Sequence, residues 1–131
     1  MAVEKEFLDH VLELFDPLGP LRVKRMFSGA GLFLDEDAMI AMISSSGTVY
    51  MKADDTTRPA FEAAGSFPFS YTRGEVTRVI PSWMALPESA LDDPDEAMDW
   101  ARRAVDPALA AAVEKRAEKA RKAARKKIAR R

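Results

Sequence analysis

The first apolar residues of the chain recur at helical spacing. Phe7, Val11, Leu14 and Phe15 fall on one face of an α-helix. Residues 16–20, Asp-Pro-Leu-Gly-Pro, end this pattern, because proline and glycine do not continue a helix. The pattern predicts an amphipathic helix that opens the chain and stops near residue 16.

Residues 22–53 follow the two-residue period of β-strands instead. Residues 38–43 are apolar throughout, which predicts a central strand buried on both faces. A polar turn at residues 44–47 leads into the next strand, residues 48–53. Along that strand the alternation separates two groups, Val49 with Met51 and Tyr50 with Lys52. The segment predicts three or four strands joined by short turns.

Turn and cap signals organise the chain up to residue 106. A short helix ends at Gly65, and two strands follow at residues 69–73 and 76–81. Asp93 then caps a further helix, in which Glu96 closes a capping box. Since short turns join the strands, we predict an α+β fold. It is a two-layer, mainly antiparallel sheet of five to six strands covered by helices on one face, plus a C-terminal basic helix.

The composition changes after residue 106. Residues 108–131 contain nine alanines, ten Lys or Arg residues and neither glycine nor proline, which strongly favours helix. This helix carries little apolar surface, so we expect it to fray past about Ala120. The chain therefore divides into a domain at residues 1–106 and a basic, Ala/Lys/Arg-rich helical tail at residues 107–131.

The net charge of −1 hides a strong asymmetry. Residues 112–131 hold ten Lys or Arg residues and two Glu, whereas residues 1–111 hold ten Lys or Arg against nineteen Asp or Glu. We expect the tail to attract a phosphate backbone and the body to repel it.

Nothing in the sequence indicates export or membrane insertion. The chain has no cysteine, and its longest apolar run is far below the roughly 18 residues of a membrane helix. The N-terminus lacks a basic region followed by an apolar run, so we expect no signal peptide. These features predict a cytoplasmic protein with no membrane partner.

Candidate catalytic and metal-binding groups are sparse. His10 is the single histidine, so a zinc site would depend almost wholly on carboxylates. Adjacent acids such as Asp54 and Asp55 are explained as helix caps. Residues 29–31, Gly-Ala-Gly, lack the third glycine and following helix of a dinucleotide loop and predict close approach within the sheet. We therefore expect no catalytic residue, no metal and no cofactor, and a protein that is not an enzyme.

The polar face of the predicted sheet is a candidate binding surface. The residues that can cluster there with Arg58 are Lys24, Tyr50, Lys52 and Arg73. Hot spots for protein recognition are enriched in Arg and Tyr. The structural alternative is that Arg58 and Lys52 pair with Asp54, Asp55 or Glu62 and fix the strand-to-helix junction.

The basic tail is a candidate nucleic-acid interface. Cations on one helix neutralise phosphates and give salt-dependent, sequence-indifferent binding. The alternatives are a solvated helix or a contact with the acidic body of the same or a neighbouring molecule. The candidate residues are Lys115, Arg116, Lys119, Arg121, Lys122, Arg125, Lys126, Lys127, Arg130 and Arg131.

Several motifs occur in a fixed order through the first hundred residues. They are residues 25–35 (RMFSGAGLFLD), 49–55 (VYMKADD), 58–65 (RPAFEAAG), 68–71 (PFSY) and 100–104 (WARRA), with Trp83 and Pro87 between the last two. Together they resemble the TfoX N-terminal domain family, named for the Sxy/TfoX regulators of bacterial DNA uptake. The resemblance implies the same antiparallel sheet covered by helices. It also implies basic or aromatic residues at four partner-binding positions, Arg25, Tyr50, Lys52 and Arg58.

The resemblance implies a role in transcription and competence. Well-known members help an activator of the cyclic-AMP-receptor type at competence promoters, as coactivators, and full-length members carry a second, helical domain. After residue 105 this chain has only its basic tail. Our first hypothesis is a coactivator-like module that binds a partner protein of that type and contacts DNA through the tail. A homodimeric interaction or chaperone-like module is the second, and a binder of small anionic ligands is the third.

Overall fold

The computed structural model describes residues 4–26, 28–35 and 37–129. Its elements in chain order are α1 (Lys5–Phe15), β1 (Arg22–Met26), β2 (Gly29–Phe33), β3 (Met39–Ile43), β4 (Val49–Lys52), α2 (Arg58–Ala63), β5 (Pro68–Arg73), β6 (Val76–Ala85) and α3 (Pro94–Ala129). Short 3₁₀ turns at Asp16–Leu18 and Glu88–Asp92 follow α1 and precede α3. The predicted α+β class is confirmed.

One antiparallel sheet contains all six strands in the order β1-β2-β3-β4-β6-β5. The predicted alternation in β4 is confirmed. Val49 and Met51 are buried in the main core with residues of α1 and α3, and Tyr50 belongs to a separate cluster with Trp83 and Ala85. We call the sheet face that carries Tyr50 and Lys52 the outer face.

The main core joins α1, the inner face of the sheet and the first half of α3. Val11 and Phe15 of α1 are fully buried, as their spacing predicts. The face of α3 that meets the sheet is mostly alanine, with Ala101 and Ala104 completely buried. Small side chains bring the helix close to the sheet, and Phe61 of α2 fills the remaining space against the Trp100 ring, centroid to centroid at 4.5 Å.

The predicted cap of α3 is confirmed, but the capping box is wrong. The Asp93 carboxylate accepts hydrogen bonds from the backbone N–H groups of Asp95 and Glu96 at 3.1 and 3.2 Å. The Asp93 N–H donates to the Ala90 carbonyl, so it does not need the Glu96 side chain. The Glu96 carboxylate instead accepts a hydrogen bond from the Trp100 indole at 3.2 Å.

Helix α3 is longer and more continuous than the sequence predicts. It passes through Pro107 and runs to Ala129, beyond the expected fraying near Ala120. A proline inside a helix costs about 3 kcal/mol, but Ala104 and Ala108 on either side of it are buried in the core. This packing holds the helix together, so the boundary predicted at residues 106 and 107 lies inside one element. The division into domain and tail stays a prediction.

The β5–β6 hairpin extends the sheet as an arm. The predicted strands on either side of Gly74 are confirmed, and β6 continues to Ala85, where it pairs with β4. Residues 70–79 are all exposed, including Tyr71 at 43 % and Val79 at 56 %. Because β5 lies at the edge of the sheet, its outward backbone groups are available to another strand.

Candidate functional site

The charges of the body are sorted between its two layers. The residues of the six strands include no Asp or Glu, but they include Arg22, Lys24, Arg25, Lys52, Arg73 and Arg78. The carboxylates lie on the helices and turns, as with Glu6, Asp9 and Glu13 on α1. The body is therefore acidic on its helical side and cationic on its sheet, which modifies the expectation of a body that repels phosphate throughout.

Lys52 and Trp83 form the centre of the outer face. They are direct cross-strand partners, and the Lys52 ammonium lies 4.7 Å from the centroid of the Trp83 ring. Burial lowers the pKa of Lys52, because desolvation disfavours the charged form. The cation–π contact with the indole offsets part of that cost.

Tyr50 lies within an aromatic cluster on the same face. Its ring contacts Phe67 and Phe69 edge-on, with centroids 6.3 and 5.1 Å away, and the residue is only 8 % exposed. Burial raises the pKa of Tyr50, and a hydrogen bond with Thr48 opposes the shift. Tyr50 is thus mainly a packing residue of the outer face, and little of its surface is accessible to a partner.

The four predicted partner-binding residues do not form a single cluster. Tyr50 and Lys52 share the outer face, whereas Arg25 shares a strand face with Val23, which packs against the main core. Arg58 lies at the start of α2, where its side chain forms hydrogen bonds with nearby groups of the same chain. Its Nε donates to the Pro81 carbonyl at 3.0 Å, and its Nη1 donates to the Asp55 carboxylate at 2.8 Å. This geometry matches the structural alternative for Arg58.

Replacing Arg58 by Ala is expected to lower the free energy of unfolding by about 1 kcal/mol, since it removes a charged hydrogen bond made by a side chain that is only 25 % exposed. Arg102→Ala is the matched control. Arg102 also pairs with an acid three residues away, Asp99, but at an exposed position where such pairs contribute little. Urea denaturation of both variants measures the difference. Equal stability of the two variants would show that the bond to Pro81 does not hold the junction.

An apolar groove crosses the outer face between β1 and the hairpin arm. It has a volume of about 390 Å³, and its lining includes Met26, Met42, Tyr50, Phe69 and Tyr71. Flexible methionines and rigid aromatic rings are typical of surfaces that bind proteins. Phe69 and Tyr71 are not among the site residues predicted from the sequence. The available signal was their spacing of two residues, which puts both rings on one strand face.

The tail presents one continuous row of lysines. Along α3, side chains three or four residues apart lie on the same face of the helix. The lysines continue the face on which Ala108 and Ala112 are buried against the body. We call this row the lysine stripe; its members are Lys115, Lys119, Lys122 and Lys126. From first to last it spans about 17 Å at helical rise.

Three of the predicted tail cations have acidic partners. Arg116 contacts Asp37 at 3.2 Å, Arg121 contacts Glu114 at 3.1 Å, and Lys122 contacts Glu118 at 3.5 Å. These pairs are exposed, so they hold the cations weakly and a phosphate can compete. Within the part of the tail that the structure describes, no ion pair engages Lys115, Lys119, Arg125, Lys126 or Lys127. Arg130 and Arg131 lie outside the described residues.

Two further features of the described residues, 4–26, 28–35 and 37–129, bear on the expectations from sequence. None of their helices is long and apolar enough to cross a membrane. They also contain no group of three or more His, Cys, Asp or Glu residues with the spacing of a metal site.

The sequence profile of a known family matches most of the chain. The family is described as the TfoX N-terminal domain, and the match covers residues 13–108 of 131. It takes in all six strands and residues 94–108 of α3, and it leaves the lysine stripe outside. No curated protein matches the chain.

Proposed function

The chain belongs to the TfoX N-terminal domain family, a competence-related regulatory family, and we propose that it is a non-enzymatic, coactivator-like regulator of transcription. In this proposal the outer face binds a partner protein, and the tail contacts DNA nearby. The proposed partner is a transcription regulator of the cyclic-AMP-receptor type. A cytoplasmic location belongs to the same proposal, because the protein would act at promoters.

The observation that carries the proposal is the course of α3. Its first half is fixed in the core through Ala101, Ala104 and Ala108, and its last residues, 118–129, are exposed throughout. One rigid element therefore joins the body to a cationic surface that stands clear of it. A helix with this charge density attracts a phosphate backbone without reading its sequence.

Because the partner protein and the tail have separate roles, a weak contact between the tail and DNA is sufficient for the protein to act at a promoter. A partner bound to its promoter site tethers the tail close to the duplex, which raises the effective concentration of the tail there. Specificity then comes from the partner, and the tail adds affinity. This also supports the division into a body at residues 1–106 and a functional tail at residues 107–131, although one helix spans both.

The apolar groove is the proposed partner surface, and Tyr71 is its most accessible aromatic side chain at 43 % exposure. We expect Tyr71→Ser to weaken binding of a purified cyclic-AMP-receptor-type regulator at least about tenfold, as loss of a hot-spot aromatic does. The matched control is Val79→Ser, since Val79 is 56 % exposed on the opposite face of the same hairpin. Calorimetric titration of the regulator with each variant measures the effect. Equal affinity of both variants and the wild type would exclude the groove.

A homodimeric interaction module is the second candidate. The edge strand β5 favours it, because main-chain donors and acceptors at an exposed edge pair with a second strand. Light scattering separates the two candidates. A dimer that persists at high salt in a protein without affinity for duplex DNA supports the interaction module, and a monomer that binds duplex DNA supports the regulator.

A further inference from the structure

A second depression lies where α3 meets the end of the sheet. It has a volume of about 410 Å³, and β1, β4, β6, α3 and the β2–β3 turn all contribute to its lining. We call it the basic cleft. Its charged and aromatic members include Arg22, Lys24, Lys52, Trp83, Lys115 and Asp37.

Positive charge dominates this cleft. Lys24, Lys52 and Lys115 bring positive charge to it from three different elements, β1, β4 and α3, and Asp37 is the one carboxylate among the described residues that line it. Arg116, on the neighbouring face of α3, already engages that carboxylate, with Nε 3.2 Å from Oδ2. The Asp37 charge therefore does not balance the three lysines of the cleft.

Lys52 is the least hydrated of these cations. Its ammonium is partly buried over the Trp83 ring, and no carboxylate of the described residues lies within ion-pair distance of it. A desolvated ammonium next to an aromatic wall gains most from an incoming anion, because the anion restores the interactions that water provided. Lys52 is thus the natural anchor of a ligand in the cleft.

We propose that the basic cleft binds a phosphate group. A phosphate has several oxygens that point in different directions, and cations from separate elements can each contact one of them. The volume lies within the range of small-molecule sites, and the Trp83 and Phe33 rings supply an apolar wall for whatever the phosphate is attached to. The phosphate can come from a small phosphorylated molecule or from the backbone of a nucleic acid.

The position of Lys115 connects the two sources. It lines the cleft and is also the first member of the lysine stripe, so a backbone that follows the stripe reaches the cleft at its body end. The nucleic-acid source rests on the proposed function. Binding of a small phosphorylated molecule does not, and it would stand even if the protein never met DNA.

The test uses the full chain with inorganic pyrophosphate in a calorimetric titration and a labelled DNA duplex in a fluorescence anisotropy titration. Lys52→Met removes the ammonium and keeps an apolar stem against Trp83. Lys5→Met is the matched control: it removes the same charge from α1, where the Lys5 side chain is 86 % exposed. We expect Lys52→Met to bind at least one probe about tenfold more weakly, and Lys5→Met to bind as the wild type does.

The pattern of losses identifies the source of the phosphate. Loss for pyrophosphate alone indicates a small molecule, loss for the duplex alone indicates a nucleic-acid backbone, and loss for both indicates a shared site. Unchanged affinity of Lys52→Met for both probes, or failure of the wild type to bind either, would overturn the proposal. If Lys52→Met does not fold, Lys24→Gln at the exposed mouth of the same cleft replaces it, with the same expected outcomes. If the wild type binds the duplex and Lys52→Met binds both probes as the wild type does, the cleft is rejected as a phosphate site. The proposed function is then unaffected.

Discussion

Replacing all four residues of the lysine stripe by glutamine is expected to weaken binding of duplex DNA by about 10²–10³-fold near 0.1 M salt. Each lysine that neutralises a phosphate releases a counterion, so its loss removes both affinity and salt dependence. The slope of log affinity against log salt concentration should fall in magnitude by about 3.6. Glutamine has nearly the helix propensity of lysine, so α3 is retained. Fluorescence anisotropy of a labelled duplex across a series of salt concentrations measures both quantities.

A second quadruple variant is the control for total charge. It replaces cations of the tail that lie off the stripe by glutamine, namely Arg116, Arg121, Arg125 and Lys127. Both variants lose the same charge, but only the first interrupts the row that continues into the basic cleft. We expect the control to lose markedly less affinity. Equal losses would show that the charge density of the tail matters and the arrangement on one helix face does not.

Gly29→Ala is expected to destabilise the fold by about 3 kcal/mol, which is a large part of the stability of a small domain. A Cβ at Gly29 would overlap the carbonyl oxygen of Ile43 on the neighbouring strand. The obstacle is backbone inside the sheet, so relief requires the β2–β3 ladder to move. Urea denaturation measures the free energy of unfolding, and circular dichroism shows whether the sheet is retained.

Gly31→Ala is the control two residues along the same strand. A Cβ there would meet side-chain atoms only, with Met39 Sδ at 2.6 Å, Met26 Cε at 3.1 Å and Phe33 Cε1 at 3.1 Å. The closest contact is the flexible end of Met39, which can change rotamer, so we expect a cost of about 1 kcal/mol. Equal costs for the two variants would contradict the distinction between a backbone obstacle and a side-chain obstacle.

Local patterns predicted the elements of this fold well because local physics determines them. The apolar spacing in α1, the alternation in β4 and the Asp93 cap all depend on residues within a few positions of one another. The position of β6 between β4 and β5 does not follow from local patterns, because β6 pairs with β4 across the intervening α2 and β5. Pro107 is similar: its local preference is to end a helix, and the packing of Ala104 and Ala108 overrides that preference.

The types of residue in the candidate site could be predicted from the sequence, but their arrangement in space could not. Charge counts identified the cationic tail, but an average over residues 1–111 concealed a sheet without carboxylates. The resemblance grouped Arg25 with Tyr50 and Lys52, although strand alternation puts Arg25 on the other face. The basic cleft was beyond prediction because Lys52 and Lys115 are brought together only by the path of α3.

In the proposed complex, DNA approaches the lysine stripe of α3 and leaves the acidic helical side of the body free. The most direct measurement is an NMR titration of the isotopically labelled full chain with a short DNA duplex, which follows the amide signals residue by residue. We expect the amide signals to shift along the lysine stripe and around the basic cleft, with those of α1 unchanged and the shifts reversed by salt. An unperturbed stripe, or shifts centred on α1, would contradict the proposed complex.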